Sequence, residues 1–229
     1  MSTKSGIDQD ALIQMFAQAT AGQGEALRKA VSAATLKALQ GRELTLQNVR
    51  SVLQAVTQAA SAGAAQNPGS TIDVQKLLEK AFDGMDAALL KAVQAHRTAL
   101  QQFVSQGADL QQGPLKTALA NLEKMEDVFF TTVGKAIQDA AGPVQGAWQP
   151  VLDAMKLKGT HTGAQAADTV EQLLAQARTS LRESRAMGLR TAQALLEGYS
   201  TLVSGVLIGM TEGLQQGSAE APAARTRKR

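Results

Sequence analysis

The chain has 229 residues, of which 44% are hydrophobic but only 3% aromatic, and it contains no cysteine. A core can therefore be buried, built from Leu, Ala, Val and Met, while disulfides and thiolate metal sites are excluded. The formal net charge of +3 is local: Arg225, Arg227, Lys228 and Arg229 belong to the 23 basic residues, and the other 19 face 20 acidic ones, a net of −1, so the body is not a basic surface for nucleic acid.

Apolar periodicity and punctuation predict helices along the whole chain. The first covers about residues 8–20, with Asp8 as N-cap and Leu12, Phe16 and Ala19 on one face. Gly22 and Gly24 then loosen the chain. A second helix runs from about Glu25 to Gln40, with Gly41 placed to end it. Thr45 caps a third, whose stripe is Val49, Val52, Leu53 and Val56 and whose stop is Gly63.

Residues 64–71 are the clearest loop, since Asn67, Pro68 and Gly69 are turn residues and Ser70 or Thr71 can cap the next helix. That fourth helix is long, about 72–106, and Phe82, Met85, Leu89, Ala92, His96, Ala99 and Phe103 alternate by three and four along it. Pro114 suits the first position of a fifth helix reaching about Ala141. Gly142-Pro143 breaks that helix, and residues 143–158 form a short helix kinked at Pro150 that carries Trp148.

After Gly159, Thr162-Gly163-Ala164-Gln165 has the form of a capping box. From there one broad apolar stripe continues to about Gln216, a stretch that would span roughly 80 Å if fully helical. A kink near Gly188 or Gly198, or a protruding end, is expected. The fold class is all-α: an elongated bundle of about six or seven amphipathic helices, long at roughly 72–106 and 163–216. Residues 1–63 form an N-terminal helical subdomain, 70–216 the long-helix bundle and 217–229 a disordered basic tail.

Catalytic chemistry lacks parts. His96 and His161 are isolated, and neither has a Glu three residues before it, as helical metal bundles require. Metal, cofactor and nucleophilic sites are therefore not expected. Glu123, Glu126 and Asp127 read as a solvated acidic face, and Gly22-x-Gly24 follows no strand and is not a dinucleotide fingerprint. MSTKSG at the start has no apolar stretch after Lys4, so no secretory signal is expected. No run of about 18 uncharged apolar residues could span a bilayer. A cytoplasmic location follows as the default.

The C-terminal third holds the most unusual pattern, Gly205, Gly209, Gly213 and Gly217, one every fourth residue. A helical Gly costs about 0.8–1 kcal/mol against Ala, so the three up to Gly213 cost roughly 3 kcal/mol that something must offset. Close packing against another helix would do so, as would self-association or an apolar surface. Residues 198–211 carry no charge, and Leu202, Val203, Val206, Leu207 and Met210 would be the buried side of such a contact. The tail at Arg225–Arg229 serves solubility or a weak, non-specific, salt-dependent contact with phosphates.

Two resemblances arise from these residues. Ala34 to Leu44, Val49-Arg50, Val56-Thr57 and Asp86 to Ala92, with the long last helix, resemble an uncharacterised all-helical family of proteobacterial proteins, which implies the fold and no site residue. Ala/Gln-rich amphipathic helices, seen at 82–103 and 129–137, and the tail at 219–229 resemble phasins, the coat proteins of bacterial polyester granules. That likeness implies a non-enzymatic protein that opens its helices onto an apolar surface. Leu202, Val206, Leu207 and Met210 are the expected anchors, with Phe82 and Phe103 secondary. The alternative is a homo-oligomeric scaffold whose C-terminal helices pair through Gly205, Gly209 and Gly213.

Overall fold

The computed structural model describes residues 7–40, 45–106, 110, 113–140, 142–183, 199 and 202–210. Among them the chain is all-α, without a strand. The order is α1 (Gln9–Gln18), a 3-10 turn (Ala21–Gln23), α2 (Gly24–Gln40), α3 (Leu46–Gln66), α4 (Thr71–Ser105), α5 (Gly113–Glu123), α6 (Met125–Gln138), α7 (Gly142–Lys158) and α8 (His161–Glu183). Residues 202–210 are also helical and are called α9.

The expected caps are made. Asp8 accepts from the Ala11 N–H at 3.0 Å, Thr45 from Asn48 at 3.2 Å and Ser70 from Asp73 at 3.2 Å. Each satisfies an orphan donor of its helix start, worth about 1 kcal/mol. Asn67 does more than turn the chain: its Nδ2 donates to the carbonyls of Phe16 (2.6 Å) and Ala19 (2.9 Å), closing the end of α1, while its Oδ1 accepts from Gly69 N–H at 2.8 Å.

α4 is the central element, packed against α2, α3, α5, α7 and α8, while α1 lies on α3 and α3 on α6. Its three-four seam is buried from Leu78 to Val104, as the spacing predicts. One contiguous cluster of buried apolar residues runs from Leu12 to Leu207, so the helices before residue 63 share a core with the long-helix bundle. Phe82 stacks on Phe129 at 4.6 Å, and Trp148 is fully buried with its Nε1–H donating to Ser61 Oγ at 2.9 Å. The ion pairs Arg28–Glu25 (2.7 Å) and Lys80–Asp83 (3.3 Å) each lie within one helix and add little.

Three sequence expectations change. Gly63 does not end α3; it lies inside that helix against α1, where a Cβ would run into the Ile13 carbonyl and Phe16 Cβ. Gly84 plays the same part for α4 on α2, its missing Cβ leaving room for the Arg28 carbonyl, which would otherwise stand at 2.6 Å. Backbone cannot yield as a side-chain end can, so Gly63→Ala is expected to cost about 2 kcal/mol, read from a urea transition.

The single fifth helix is two. Lys124, at φ −88° and ψ 0°, leaves the helical track between α5 and α6, although Val128 N–H still donates to its carbonyl at 2.9 Å. Pro150 does not stop α7: it lies on the exposed side with Gly146, so the carbonyl that its missing N–H leaves without a partner faces water.

The stripe over 163–216 is not one straight helix. Thr162 is bonded to Asp86 and Tyr199 to His96, two residues about 15 Å apart along α4, whereas one straight helix would hold Thr162 and Tyr199 about 55 Å apart. Side-chain reach cannot close that gap. Gly188 and Gly198, the expected kink points, lie outside the described residues, as do Gly41 and the tail 217–229.

Candidate functional site

α9 reads Leu-Val-Ser-Gly-Val-Leu-Ile-Gly-Met and carries no charge. Its inward face is Val203 and Leu207, one turn apart and at most 1% exposed. Leu202, Val206 and Met210 flank it, half-buried against the same core. Gly205, Ile208 and Gly209 point outward, and Ile208 is 41% exposed. A Cβ on Gly205 or Gly209 would meet nothing within 4 Å, so close packing on the glycines is not made within the described chain. Gly213 lies outside the described residues.

Polar contacts seat this helix on α2 and α4. Tyr199 Oη lies 2.7 Å from His96 Nδ1, its ring packs 5.7 Å from that of Phe103, and Gln40 Nε2 donates to the Leu207 carbonyl at 3.4 Å. Burial pushes the Tyr199 phenol well above the usual tyrosine range, so it stays protonated. His96 is thus a core histidine bonded to a neutral phenol.

The expected anchors divide. Leu202, Val206, Leu207 and Met210 share α9, and Phe103 joins them through Tyr199. Phe82 does not: it lies about 31 Å from Phe103 along α4, stacked on α6. Both phenylalanines are buried, at 1% and 2% exposure. Arg225, Arg227, Lys228 and Arg229 lie outside the described residues.

A second constellation has no counterpart among the sequence expectations. Asp86, buried on α4, accepts at Oδ2 from His161 N–H and at Oδ1 from Thr162 N–H, both at 3.0 Å. Thr162 Oγ1 donates to the Asp86 carbonyl at 3.0 Å. Glu126 on α6 takes the Thr160 N–H at 2.8 Å and its hydroxyl at 2.7 Å on one oxygen. Thr160 Oγ1 in turn accepts from Gly163 N–H at 2.8 Å, so Thr160 is the N-cap of α8 and the expected box at Thr162 is not formed.

Two carboxylates from other helices thus close the N-terminus of α8, where orphan donors and the helix dipole favour negative charge. Gly159, at φ +75°, supplies the left-handed turn that brings the loop under them. Glu126 is therefore no member of a solvated face, although Glu123 and Asp127 are exposed as expected. A Cβ on Gly163 would overlap the Glu126 carboxylate. Gly163→Ala is expected to evict Glu126 and to cost about 2 kcal/mol, most of which vanishes in a Glu126→Ala background.

Both Asp86 oxygens are occupied by backbone donors, so this cluster builds structure. Among the described residues no group of three or more His, Asp or Glu could hold a metal ion, and no helix is long and apolar enough to cross a membrane. A hollow of about 230 Å³ beside Ser61, Ala136 and Val144 and another of about 350 Å³ beside Met15, Gln23 and Leu27 are open and lined mainly by Ala and Gln.

No curated protein and no solved structure matches the chain. The family described as "Family of unknown function (DUF6781)" matches residues 2–216. That span takes in α1 to α9 with the Asp86 and Glu126 clasp, and the chain belongs to this family.

Proposed function

We propose that the protein is a non-enzymatic helical coat or binding protein that lays amphipathic helices on an apolar surface, with a polyester granule as the specific candidate. The observation that carries this reading is α9: uncharged, apolar on its inward face, and still exposing Ile208 on its outward one. Contacts of Val203 and Leu207 with the core would be exchanged for contacts with the surface, driven by about 25 cal/mol per Å² of apolar area removed from water. Phe103 would follow once Tyr199 leaves it. A cysteine-free chain suits a reducing, cytoplasmic compartment.

The test is co-sedimentation of the purified chain with polyhydroxyalkanoate granules, beside anionic and neutral liposomes. Granule binding is expected to exceed liposome binding. Removal of residues 225–229 is expected to leave it within about twofold at physiological salt, because four exposed charges are largely screened there. Equal binding to anionic liposomes that disappears with the tail would replace an apolar surface with an anionic one.

The open face at Gly205 and Gly209 supports a second reading, a homo-oligomeric scaffold in which α9 pairs with α9 of another copy. Mass that rises with concentration in sedimentation velocity, with no binding to granules or liposomes, would favour it.

A further inference from the structure

We infer that α9 is a self-covering strap, which with Tyr199 seats on α2 and α4 and lifts off as a unit while α8 stays pinned by Asp86 and Glu126. The purpose of the strap rests on the surface-coat reading, but its opening is measured with no surface present.

The two ends of the C-terminal region are held by different chemistry. At the start of α8, His161, Thr162 and Thr160 give backbone or hydroxyl donors to ionisable carboxylates at 2.7–3.0 Å, inside a shell where Thr160 and Thr162 are themselves buried. Hydrogen bonds of that kind are the strong ones. Among the described residues, α9 is held by a Tyr–His bond, a longer amide-to-carbonyl bond at 3.4 Å, and the buried side chains of Val203 and Leu207. These are neutral contacts on a helix of nine residues, too short to hold its shape alone in water.

That shortness makes the strap conditional. Lifted into water, α9 would lose both its burial and its helix. Lifted onto an apolar surface, it would keep both. Its departure also uncovers Phe103, which the docked Tyr199 ring covers at 5.7 Å. The docked state therefore masks apolar groups on the strap and on its seat together, which suits a protein that must stay dispersed until a surface is present.

Native-state hydrogen exchange on the full chain tests this without any surface. Amides of 204–210 are expected to exchange at least about 100-fold faster than those of 165–177 in α8. Tyr199→Phe keeps the ring and removes the bond to His96, and is expected to speed exchange in 204–210 about fivefold while leaving 165–177 within about twofold. A common rate for both segments, accelerated equally by Tyr199→Phe, would overturn the strap.

The single tyrosine of the chain gives an independent readout, the tyrosinate absorbance at 295 nm. Burial raises the docked phenol, so docking is at full strength below the usual tyrosine value of about 10 and weakens as pH rises from there toward the docked value. Titration at the ordinary value in the wild type would also overturn the proposal. Gln40→Cys/Ile208→Cys, bridged by a short bismaleimide in this cysteine-free chain, is expected to slow exchange in 204–210 to the α8 rate and to lower granule binding at least about tenfold. Fast exchange of 204–210 with no granule binding by the wild type would support the strap and sink the granule reading; bridging that leaves exchange in 204–210 fast would overturn the strap.

Discussion

Trp148→Ala is expected to lower the free energy of unfolding by about 4 kcal/mol and the thermal midpoint by about 10 °C. Trp148 has no solvent exposure, and in a chain that is only 3% aromatic nothing of similar volume stands ready to fill the space. It sits in the core on α7, and its Nε1–H reaches Ser61 on α3 at 2.9 Å, so it joins two helices by volume and by a bond. Trp148→Phe restores most of the volume and is expected to lose about half as much. Urea unfolding followed by far-UV circular dichroism reads both, since the substitution removes the chain's one tryptophan. A loss below about 1 kcal/mol for the alanine variant would mean that α7 collapses onto α3 without strain.

Asp86→Ala is expected to cost about 3 kcal/mol, nearly as much from a far smaller side chain. The mechanism differs: no large cavity opens, but the N–H groups of His161 and Thr162 lose their acceptors beside a buried carboxylate's former place. Glu126 is less buried and holds Thr160 alone, so Glu126→Ala is expected to cost about 1.5 kcal/mol. Both residues cap one helix start, so the double variant is expected to fall short of the sum by about 1 kcal/mol. Far-UV circular dichroism in urea measures all three. Strict additivity would mean that Asp86 and Glu126 hold the loop independently.

Much of this architecture is legible in the sequence because its causes are local. The seam from Phe82 to Phe103 is a three-four pattern within one helix, and Asp8, Thr45 and Ser70 cap the helices they precede. Gly63 misleads because a glycine that ends a helix and one that admits a neighbouring backbone look alike until the neighbour is known. The clasp is hidden for a related reason: Asp86 caps a helix that starts 75 residues later, beyond any rule on adjacent positions. A signal is present, since Asp86 sits on the apolar seam between Met85 and Leu89, where a carboxylate needs partners. The C-terminal stripe misleads in the opposite sense. Period 3.6 marks which side of a helix is apolar but carries no sign of direction, so α8 and α9 read as one element although His96 and Asp86 hold them close along α4.

The stripe does bring four of the six expected anchors onto α9, because those four follow from periodicity alone. Phe82 and Phe103 stand out for size in a chain poor in aromatics, and size equally suits a core, where both lie.

The most direct measurement is a binding isotherm on purified polyhydroxyalkanoate granules for the wild-type chain and for Val206→Asp/Met210→Asp. Both positions are half-buried flanks of α9 rather than its fully buried contacts, so the variant is expected to keep its helix content. The expected result is saturable binding by the wild type, weakened at least about 50-fold by two carboxylates that an apolar surface cannot solvate. Absence of wild-type binding, or equal binding by a folded double variant, would contradict a surface coat working through α9.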